Sequence, residues 1–165
     1  MKSVQIIPDK IFTLPDLERA IRKWRLLNKK IVFTNGVFDI LHEGHIASLS
    51  QAASFGNILI VGLNSDDSVK RLKGPSRPVN NENARALVLA SLLMTDAVIL
   101  FKEDTPLNLI NAVIPDVLVK GGDYTIEQIA GAKEVIANGG EVILADIIEG
   151  ISTTAIIERL KKPFP

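Results

Sequence analysis

The sequence predicts an α/β domain in which a five-stranded parallel sheet carries helices on both of its faces. The first observation behind this prediction is that short β-branched runs alternate with helix-period segments along most of the chain. The second is that the runs are almost continuously apolar, which is typical of strands covered on both faces. Such alternation requires right-handed crossovers, and these place helices on either side of a parallel sheet.

The elements follow from these patterns in chain order. The predicted strands are 31–34, 58–63, 97–101, 117–119 and 142–144. The predicted helices are about 15–28, 44–55, 82–94, 106–114, 126–138 and a last one from about 152. Thr13 with Asp16 three residues later predicts a capped start for the first helix. Gly56 and the Gly139-Gly140 pair predict the ends of two others.

Length and composition limit the classes of function. With 165 residues the chain is predicted to form a single domain, 1–165, in which 1–28 is an N-terminal extension with a helix and 29–162 is the catalytic core. Lysine plus arginine number 19, as do aspartate plus glutamate, so charge gives no argument for a nucleic-acid partner. Cysteine is absent, which excludes disulfide and thiolate chemistry. Without a membrane-length apolar run or a signal-peptide pattern, we expect a cytoplasmic protein without a membrane partner.

Both histidines of the chain, His42 and His45, lie between the first strand and the next helix. Gly36 and Gly44 would let the backbone approach a ligand closely. A helix start offers free N–H groups and a positive dipole end, which favour phosphate, and two imidazoles could neutralise charge developing on a phosphoryl oxygen. Two alternatives stay open: a structural pair, or a metal site whose third ligand would be a carboxylate of this segment, from Asp39 or Glu43.

A second polar segment lies near the end of the chain, where Ser152, Thr153 and Thr154 follow Gly150. One of the hydroxyls is accounted for as an N-cap of the last helix. Three in succession exceed what a cap requires, and hydroxyls at a helix start can hold the outer phosphates of a triphosphate.

Lysines and arginines follow two further strands. The segment 64–83 carries Lys70, Arg71, Lys73 and Arg77; it is predicted to be a polar loop, either simply solvated or closing over anionic ligands. Lys120 ends another strand, and a lysine in that position indicates a ligand role because buried strands seldom end in one.

These motifs carry a family resemblance. Residues 36–45, Gly-Val-Phe-Asp-Ile-Leu-His-Glu-Gly-His, resemble the G-x-F-D-x-x-H-x-G-H signature of the HxGH nucleotidyltransferase superfamily, which includes cytidylyltransferases and small adenylyltransferases. Residues 151–154 resemble its I-S-S/T-T motif, which grips the β- and γ-phosphates. The resemblance implies a Rossmann-like nucleotidyltransferase fold.

Within that superfamily, residues 28–162 are similar to the adenylyltransferase domain of the ADP-heptose synthase family. The similarity rests on the segments 64–66, 71–74, 77–79, 118–124 and 149–154. It implies transfer of AMP from ATP to D-glycero-β-D-manno-heptose 1-phosphate, which gives ADP-heptose for the lipopolysaccharide core and releases pyrophosphate. Two departures are Val37, where the family commonly has cysteine, and the lack of room for the fused sugar kinase, so we expect a separate heptose kinase. We also expect a homo-oligomer.

The resemblance implies in-line attack of a sugar-phosphate oxygen on the α-phosphorus of ATP. The residues implied to be catalytic are His42, His45 and Lys73. Those implied to bind the nucleotide are Asn35, Gly36, Phe38, Asp39, Gly44, Asn64, Asp66, Lys120, Gly122, Ile151, Ser152, Thr153 and Thr154. Those implied to bind the sugar phosphate are Lys70, Arg71, Arg77 and Arg85. Mg²⁺ is expected to be carried mainly by the triphosphate, with no dedicated protein cage.

Two alternatives remain. A glycerol-3-phosphate-type cytidylyltransferase shares both end motifs, but those enzymes usually have arginine-threonine where this chain has Ile147-Ile148. The second is a regulatory module that kept the fold and lost catalysis; the intact histidine and hydroxyl motifs argue against it.

Overall fold

A six-stranded, fully parallel sheet forms the centre of the computed structural model, which describes residues 3–122, 124–146 and 150–161. The strand order is β1-β4-β3-β2-β5-β6. The strands are β1 (Ile11–Phe12), β2 (Ile31–Gly36), β3 (Ile58–Asn64), β4 (Ala97–Phe101), β5 (Val117–Gly121) and β6 (Glu141–Ala145). The predicted parallel sheet is confirmed, whereas the predicted number of five strands is wrong. The additional strand, β1, has two residues, too few to show a periodic pattern, and it pairs with β4 at the sheet edge.

Helices cover both faces of this sheet, as predicted. The α-helices are α1 (Leu14–Leu26), α2 (Glu43–Ser54), α3 (Asp66–Lys73), α4 (Glu82–Ser91), α5 (Leu107–Val113), α6 (Ala132–Ala137) and α7 (Thr153–Leu160). Helices α1, α5 and α6 pack on one face against alternate strand residues such as Ile31 and Phe33. Helices α2 and α4 pack on the other face, against residues such as Val32. This alternation follows from the two-residue period of a strand. Among the described residues, no helix is long and apolar enough to cross a membrane.

Two predicted elements differ from the structure. The segment 64–83 is not a loop throughout: Ser65 caps α3 by accepting a hydrogen bond from the Ser68 backbone, and α4 begins at Glu82. No apolar helix pattern in the sequence indicates α3, because this short helix buries only Ser68 and Val69. The predicted helix 126–138 is divided into a 3₁₀ turn, Ile126–Gln128, and α6, because Gly131 between them has a left-handed backbone.

The strand order places the chemically distinctive segments at one edge of the sheet. β2 lies between β3 and β5, and the order of connection reverses there. In open parallel sheets, ligands bind outside the carboxyl ends of the strands at such a reversal. The segments that follow β2, β3 and β5 therefore lie together at this edge. Parts of the sequence motifs, Asp123 and 147–149, and the core's last residue, 162, lie outside the described residues.

Two glycines with similar backbones allow a test of the packing between α5 and α6. Gly131 has φ +86°, and an added Cβ would lie 2.6 Å from Ile110 Cδ1 and 3.2 Å from Ile110 Cβ. Gly139 has φ +81°, and an added Cβ would meet no described atom within 4 Å. We expect Gly139→Ala to lower the free energy of unfolding by about 1–2 kcal/mol, through backbone strain alone. Gly131→Ala should lower it by about 1–3 kcal/mol more, because it also overpacks the core.

Urea unfolding of the two variants beside the parent chain measures this difference. Equal losses in both variants would show that α5 moves aside freely, contrary to the packing seen here.

Candidate active site

The two histidines lie stacked at the start of α2. Their ring centroids are 3.8 Å apart with an interplanar angle of 23°. His42 is the N-cap residue of α2, and its carbonyl accepts hydrogen bonds from the backbone N–H groups of His45 (2.9 Å) and Ile46 (3.2 Å). Gly44 makes room for the His42 ring, since a Cβ there would lie only 3.1 Å from His42 Nδ1. The structure thus brings the predicted pair together on one side of a helix start.

Burial favours the neutral form of both imidazoles. It lowers the pKa of His45 to about 4, helped by the charge of His42 and opposed by the Ile40 backbone carbonyl. It also lowers the pKa of His42, against the effect of Glu43. Nδ1 of each ring is buried and has no hydrogen-bond partner among the described residues. An unpaired buried polar atom requires an explanation, and a site completed by its ligand provides one.

The segment between β2 and α2, residues 37–42, leads into the two histidines and is called the histidine loop. Its backbone is strained at Phe38, whose φ is +45°. A left-handed conformation is unfavourable for a bulky residue and persists only where surrounding contacts hold it. The Phe38 ring is 9% exposed and lies 5.2 Å from the His45 ring, centroid to centroid. An added Cβ on Gly36 would lie 2.9 Å from that ring, so the glycine leaves space for it. In this conformation the Phe38 ring packs against the His45 ring.

The buried carboxylate of Asp39 holds the histidine loop in place by hydrogen bonds. This carboxylate is 1% exposed and accepts hydrogen bonds from Arg77 Nε (2.7 Å), the Val79 backbone (2.8 and 2.9 Å) and the Asn80 backbone (2.9 Å). Burial alone would raise the pKa of Asp39, but these hydrogen bonds and the charge of Arg77 outweigh it and lower the pKa below its ordinary value. Asp39 and Arg77 were predicted to contact the nucleotide and the sugar phosphate. The structure shows both engaged in joining residues 77–80 to the histidine loop.

Arg85 completes this anchoring network. Its side chain is fully buried and donates to the Asn80 carbonyl (2.9 Å), the Val37 carbonyl (2.7 Å) and Asp66 Oδ1 (2.7 Å). Arg85 was predicted to bind the sugar phosphate; in the structure its guanidinium lies inside the protein and donates to these three partners. Asp66 is held as the partner of this buried charge. Arg85 therefore holds in place the residues around the site, and its own side chain stays buried.

Three other predicted residues lie around α3. Asn64, at the end of β3, is buried and donates to Ser68 Oγ (3.0 Å). Lys70 is exposed beside Asp67, with 3.8 Å between the charged groups. Arg71 donates to Asp104 (2.7 Å) and to the Lys102 carbonyl (2.6 Å), so the structure holds it against the end of β4.

Lys120 and Lys73 approach each other at the carboxyl ends of the strands. Lys120 Nζ lies 3.2 Å from Asn35 Oδ1 and 3.4 Å from the Asn35 carbonyl, and 5.7 Å from the Tyr124 ring centroid. Burial, together with the charge of Lys73, lowers the pKa of Lys120 below its ordinary value. Gly122 has φ +121° and passes close to Tyr124. Two lysines near enough to influence each other's charge favour an anionic ligand, and their role in binding one stays a prediction.

The start of α7 meets the histidine loop, although more than 100 residues separate them in sequence. Thr153 Oγ1 donates to the Ile40 carbonyl (3.3 Å), and Ser152 accepts from the Ala155 backbone (3.1 Å). The Thr154 side chain is exposed. The Thr153 hydroxyl proton is thus used to join α7 to the loop, while its oxygen can still accept.

A cleft of about 320 Å³ lies between these two helix starts. Its lining consists of His42, Glu43, Gly150, Ile151, Ser152, Ala155, Ile156 and Arg159. Arg159 was missed by the sequence analysis, and its only signal was its spacing of seven residues from Ser152. A larger cleft of about 460 Å³, lined by Arg25, Lys30 and Asp116 among others, lies at the amino ends of the strands. We place the site in the smaller cleft, because the carboxyl ends are where parallel sheets bind ligands.

The structure also bears on the metal alternative. Within the described ranges, no group of three histidine, cysteine, aspartate or glutamate side chains is arranged to hold a metal ion. Asp39, one of the two suggested third ligands, faces Arg77 and the turn at 79–80 instead.

Comparison with known proteins defines the class. A family model described as cytidylyltransferase-like matches residues 33–159. The chain belongs to this cytidylyltransferase-like family.

Three curated relatives share more than half of their aligned residues with this chain. They are proteins called "Bifunctional protein HldE" from Nitrobacter winogradskyi (57% identity over 87% of this chain and 30% of the relative), Rhodospirillum rubrum (54% over 92% and 30%) and Hyphomonas neptunium (59% over 84% and 29%). The chain spans about 30% of the length of these relatives.

Two solved structures have a similar fold. A lipopolysaccharide core biosynthesis protein from Thermoplasma volcanium is 30% identical with a TM-score of 0.58, over 73% of this chain and 97% of that one. A pantoate-β-alanine ligase from Francisella tularensis is 15% identical with a TM-score of 0.57, over 92% and 76% of the two chains, and shows the fold alone.

The depressed pKa of His45 predicts a pH dependence of stability. Between pH 6.5 and about 4, the unfolded chain binds a proton at this histidine and the folded chain does not. The free energy of unfolding should therefore fall as the pH is lowered through this range. His45→Gln cannot take up that proton, so urea unfolding at pH 7 and pH 5 should show a smaller decrease for the variant. Parallel decreases in both proteins would contradict the burial of a neutral His45.

Proposed function

We propose that this chain transfers AMP from ATP to D-glycero-β-D-manno-heptose 1-phosphate, giving ADP-heptose and pyrophosphate for lipopolysaccharide core synthesis. The observation that carries the proposal is the meeting of the stacked histidines and the hydroxyl-rich start of α7 at one cleft. The acceptor is suggested by the HldE relatives and by the lipopolysaccharide core protein of similar fold.

In the proposed step, an oxygen of the sugar phosphate attacks the α-phosphorus of ATP in line with the bridge to the β-phosphate. A new bond from that oxygen to the α-phosphorus forms, the bond from the α-phosphorus to the bridging oxygen breaks, and pyrophosphate leaves with the electron pair. One phosphoanhydride bond replaces another, and no covalent enzyme intermediate is needed. Catalysis then consists of orientation and stabilisation of charge.

The neutral histidines suit this task. A neutral imidazole still has one N–H group, and His42 and His45 can donate to oxygens of the α-phosphate as charge builds up there. A bound phosphate would also raise the pKa of both rings, because an adjacent negative charge favours the protonated form. The site is therefore poised to become more positive as its ligand enters.

The lysines and α7 are proposed to hold the other phosphates. Lys73 and Lys120 would contact substrate phosphates at the ends of α3 and β5, while the start of α7 would hold the outer phosphates of ATP. We propose that Mg²⁺ is held mainly by the phosphate oxygens. Glu43 supplies the one carboxylate among the described residues that line the cleft. When bound, Mg²⁺ neutralises charge on the β- and γ-phosphates.

We further propose a cytoplasmic homo-oligomer that works in one pathway with a heptose kinase.

A substrate screen tests the proposed function. Pyrophosphate release is measured with ATP or CTP, each combined with heptose 1-phosphate, other sugar 1-phosphates and glycerol 3-phosphate. Turnover with ATP and the heptose is expected to exceed all other combinations. Preference for CTP and glycerol 3-phosphate would replace the proposal with the cytidylyltransferase alternative. Nucleotide binding without turnover in any combination would indicate a non-catalytic module.

Removal of one histidine should slow the reaction without unfolding the chain. We expect His45→Ala to lower kcat by about 10²–10³, because it removes a preorganised donor to the α-phosphate. Steady-state kinetics, with thermal unfolding to verify the fold, measures this effect. Unchanged turnover would contradict the assignment of His45.

Two lysines of α3 offer a matched comparison. Lys73 lies close enough to Lys120 for its charge to affect that lysine's pKa, whereas Lys70 is exposed beside Asp67. We expect Lys73→Ala to reduce kcat/KM by roughly 10–100-fold, the loss of one charged contact to phosphate, with little change in Tm. Lys70→Ala should behave like the parent chain. Similar kinetics for the two variants would remove Lys73 from the proposed site.

A further inference from the structure

One face of α7 forms a wall of the cleft. The residues of this helix and its cap that line the cleft are Ser152, Ala155, Ile156 and Arg159. Their spacing of three, four and seven residues is that of one helix face. Arg159 therefore lies on the same side of α7 as the cap residue, beside the cleft that also contains His42.

Helix geometry directs the Arg159 side chain toward the start of α7. Seven residues extend about 10 Å along a helix axis. Side chains on a helix lean toward its N-terminus, and a long side chain covers the surface of the preceding turn. A guanidinium that follows this general lean extends from the last turn of α7 toward Ser152, along the cleft that both residues line.

The charges around the cleft give Arg159 a distinct role. Lys73 and Lys120 lie at the ends of α3 and β5 and do not line this cleft in the described structure, whereas Arg159 does. Glu43 supplies the opposite charge on the other wall, so an entering phosphate would be attracted to the α7 side. When the bridging bond breaks, pyrophosphate gains negative charge. An arginine remains charged and can donate two parallel hydrogen bonds to phosphate oxygens.

A purely structural role predicts something different. A cation in the last turn of a helix interacts favourably with the helix dipole. Lys161, just beyond α7, can make the same interaction; it is exposed, contacts Glu158 (2.6 Å), and is not among the residues that line the cleft. Lys161 is therefore the matched control for Arg159.

We infer that Arg159 binds the β- and γ-phosphates of ATP and the pyrophosphate that leaves. This inference rests on the proposed function for its place in the reaction. The binding itself can be measured without an acceptor.

The experiment compares Arg159→Gln, Arg159→Lys and Lys161→Gln with the parent chain. Calorimetry with inorganic pyrophosphate and Mg²⁺ measures binding, and kinetics with ATP and the sugar phosphate gives the two KM values. Arg159→Gln should weaken pyrophosphate binding and raise the KM for ATP by about 10-fold or more, as expected for loss of a charged hydrogen bond. The KM for the sugar phosphate should be unchanged. Arg159→Lys should be intermediate, and Lys161→Gln should match the parent.

Equal pyrophosphate affinity in Arg159→Gln and Lys161→Gln would overturn the inference, leaving Arg159 a helix-end cation. An equal rise in both KM values for Arg159→Gln would also overturn it, since that result indicates a displaced α7. If the parent chain binds pyrophosphate but converts no acceptor, the proposed function fails. The role of Arg159 in phosphate binding is then still decided by the calorimetry.

Discussion

The carboxylate of Asp39 is the constraint on which the proposed active site depends. The segment between β2 and α2 belongs to neither element, so no ladder of backbone hydrogen bonds holds it in place. Asp39 replaces that ladder by accepting hydrogen bonds from residues 77–80. A buried carboxylate is tolerated only when its charge is paired and its oxygens are hydrogen-bonded, and Arg77 and two backbone N–H groups meet both conditions. The position of the histidines is thus coupled to the connection between α3 and α4.

Arg85 connects the histidine loop to two further segments, the connection between α3 and α4 and the start of α3. Its contacts reach the histidine loop at Val37, the connection at Asn80 and the start of α3 at Asp66. Removal of one partner from such a buried network leaves an unpaired charge, which is far less favourable than the intact arrangement. The network therefore gives the loop a single well-defined position. It also uses the guanidinium groups of Arg77 and Arg85 for contacts within the protein. The cations proposed to bind substrate are Lys73, Lys120 and Arg159.

The parts of the fold that bury apolar residues were predictable from the sequence. β2 and β3 appear as apolar runs, and the helix start at Glu43 follows from the motif around His42. The parts that were not predictable depend on contacts between distant residues or on very short segments. α3 is mostly charged and buries little, and Arg85 looks like an ordinary surface arginine until Asp66 and the Val37 carbonyl surround it. Sequence could suggest which residues are polar near the site, but not which of them are used to hold the protein together.

The same distinction applies to the hydroxyls at the start of α7. Three in succession indicated a phosphate site, yet Ser152 caps the helix and Thr153 contacts Ile40. The Thr153 contact joins the two halves of the cleft, since Ile40 belongs to the loop that carries His42. Only the Thr153 hydroxyl proton is used in this way, since Ser152 accepts through its oxygen and can still donate. Backbone N–H groups at the two helix starts are further donors for an anion. The two helix starts lie more than 100 residues apart in sequence, so the cleft depends on contacts such as that between Thr153 and Ile40, which join α7 to the histidine loop.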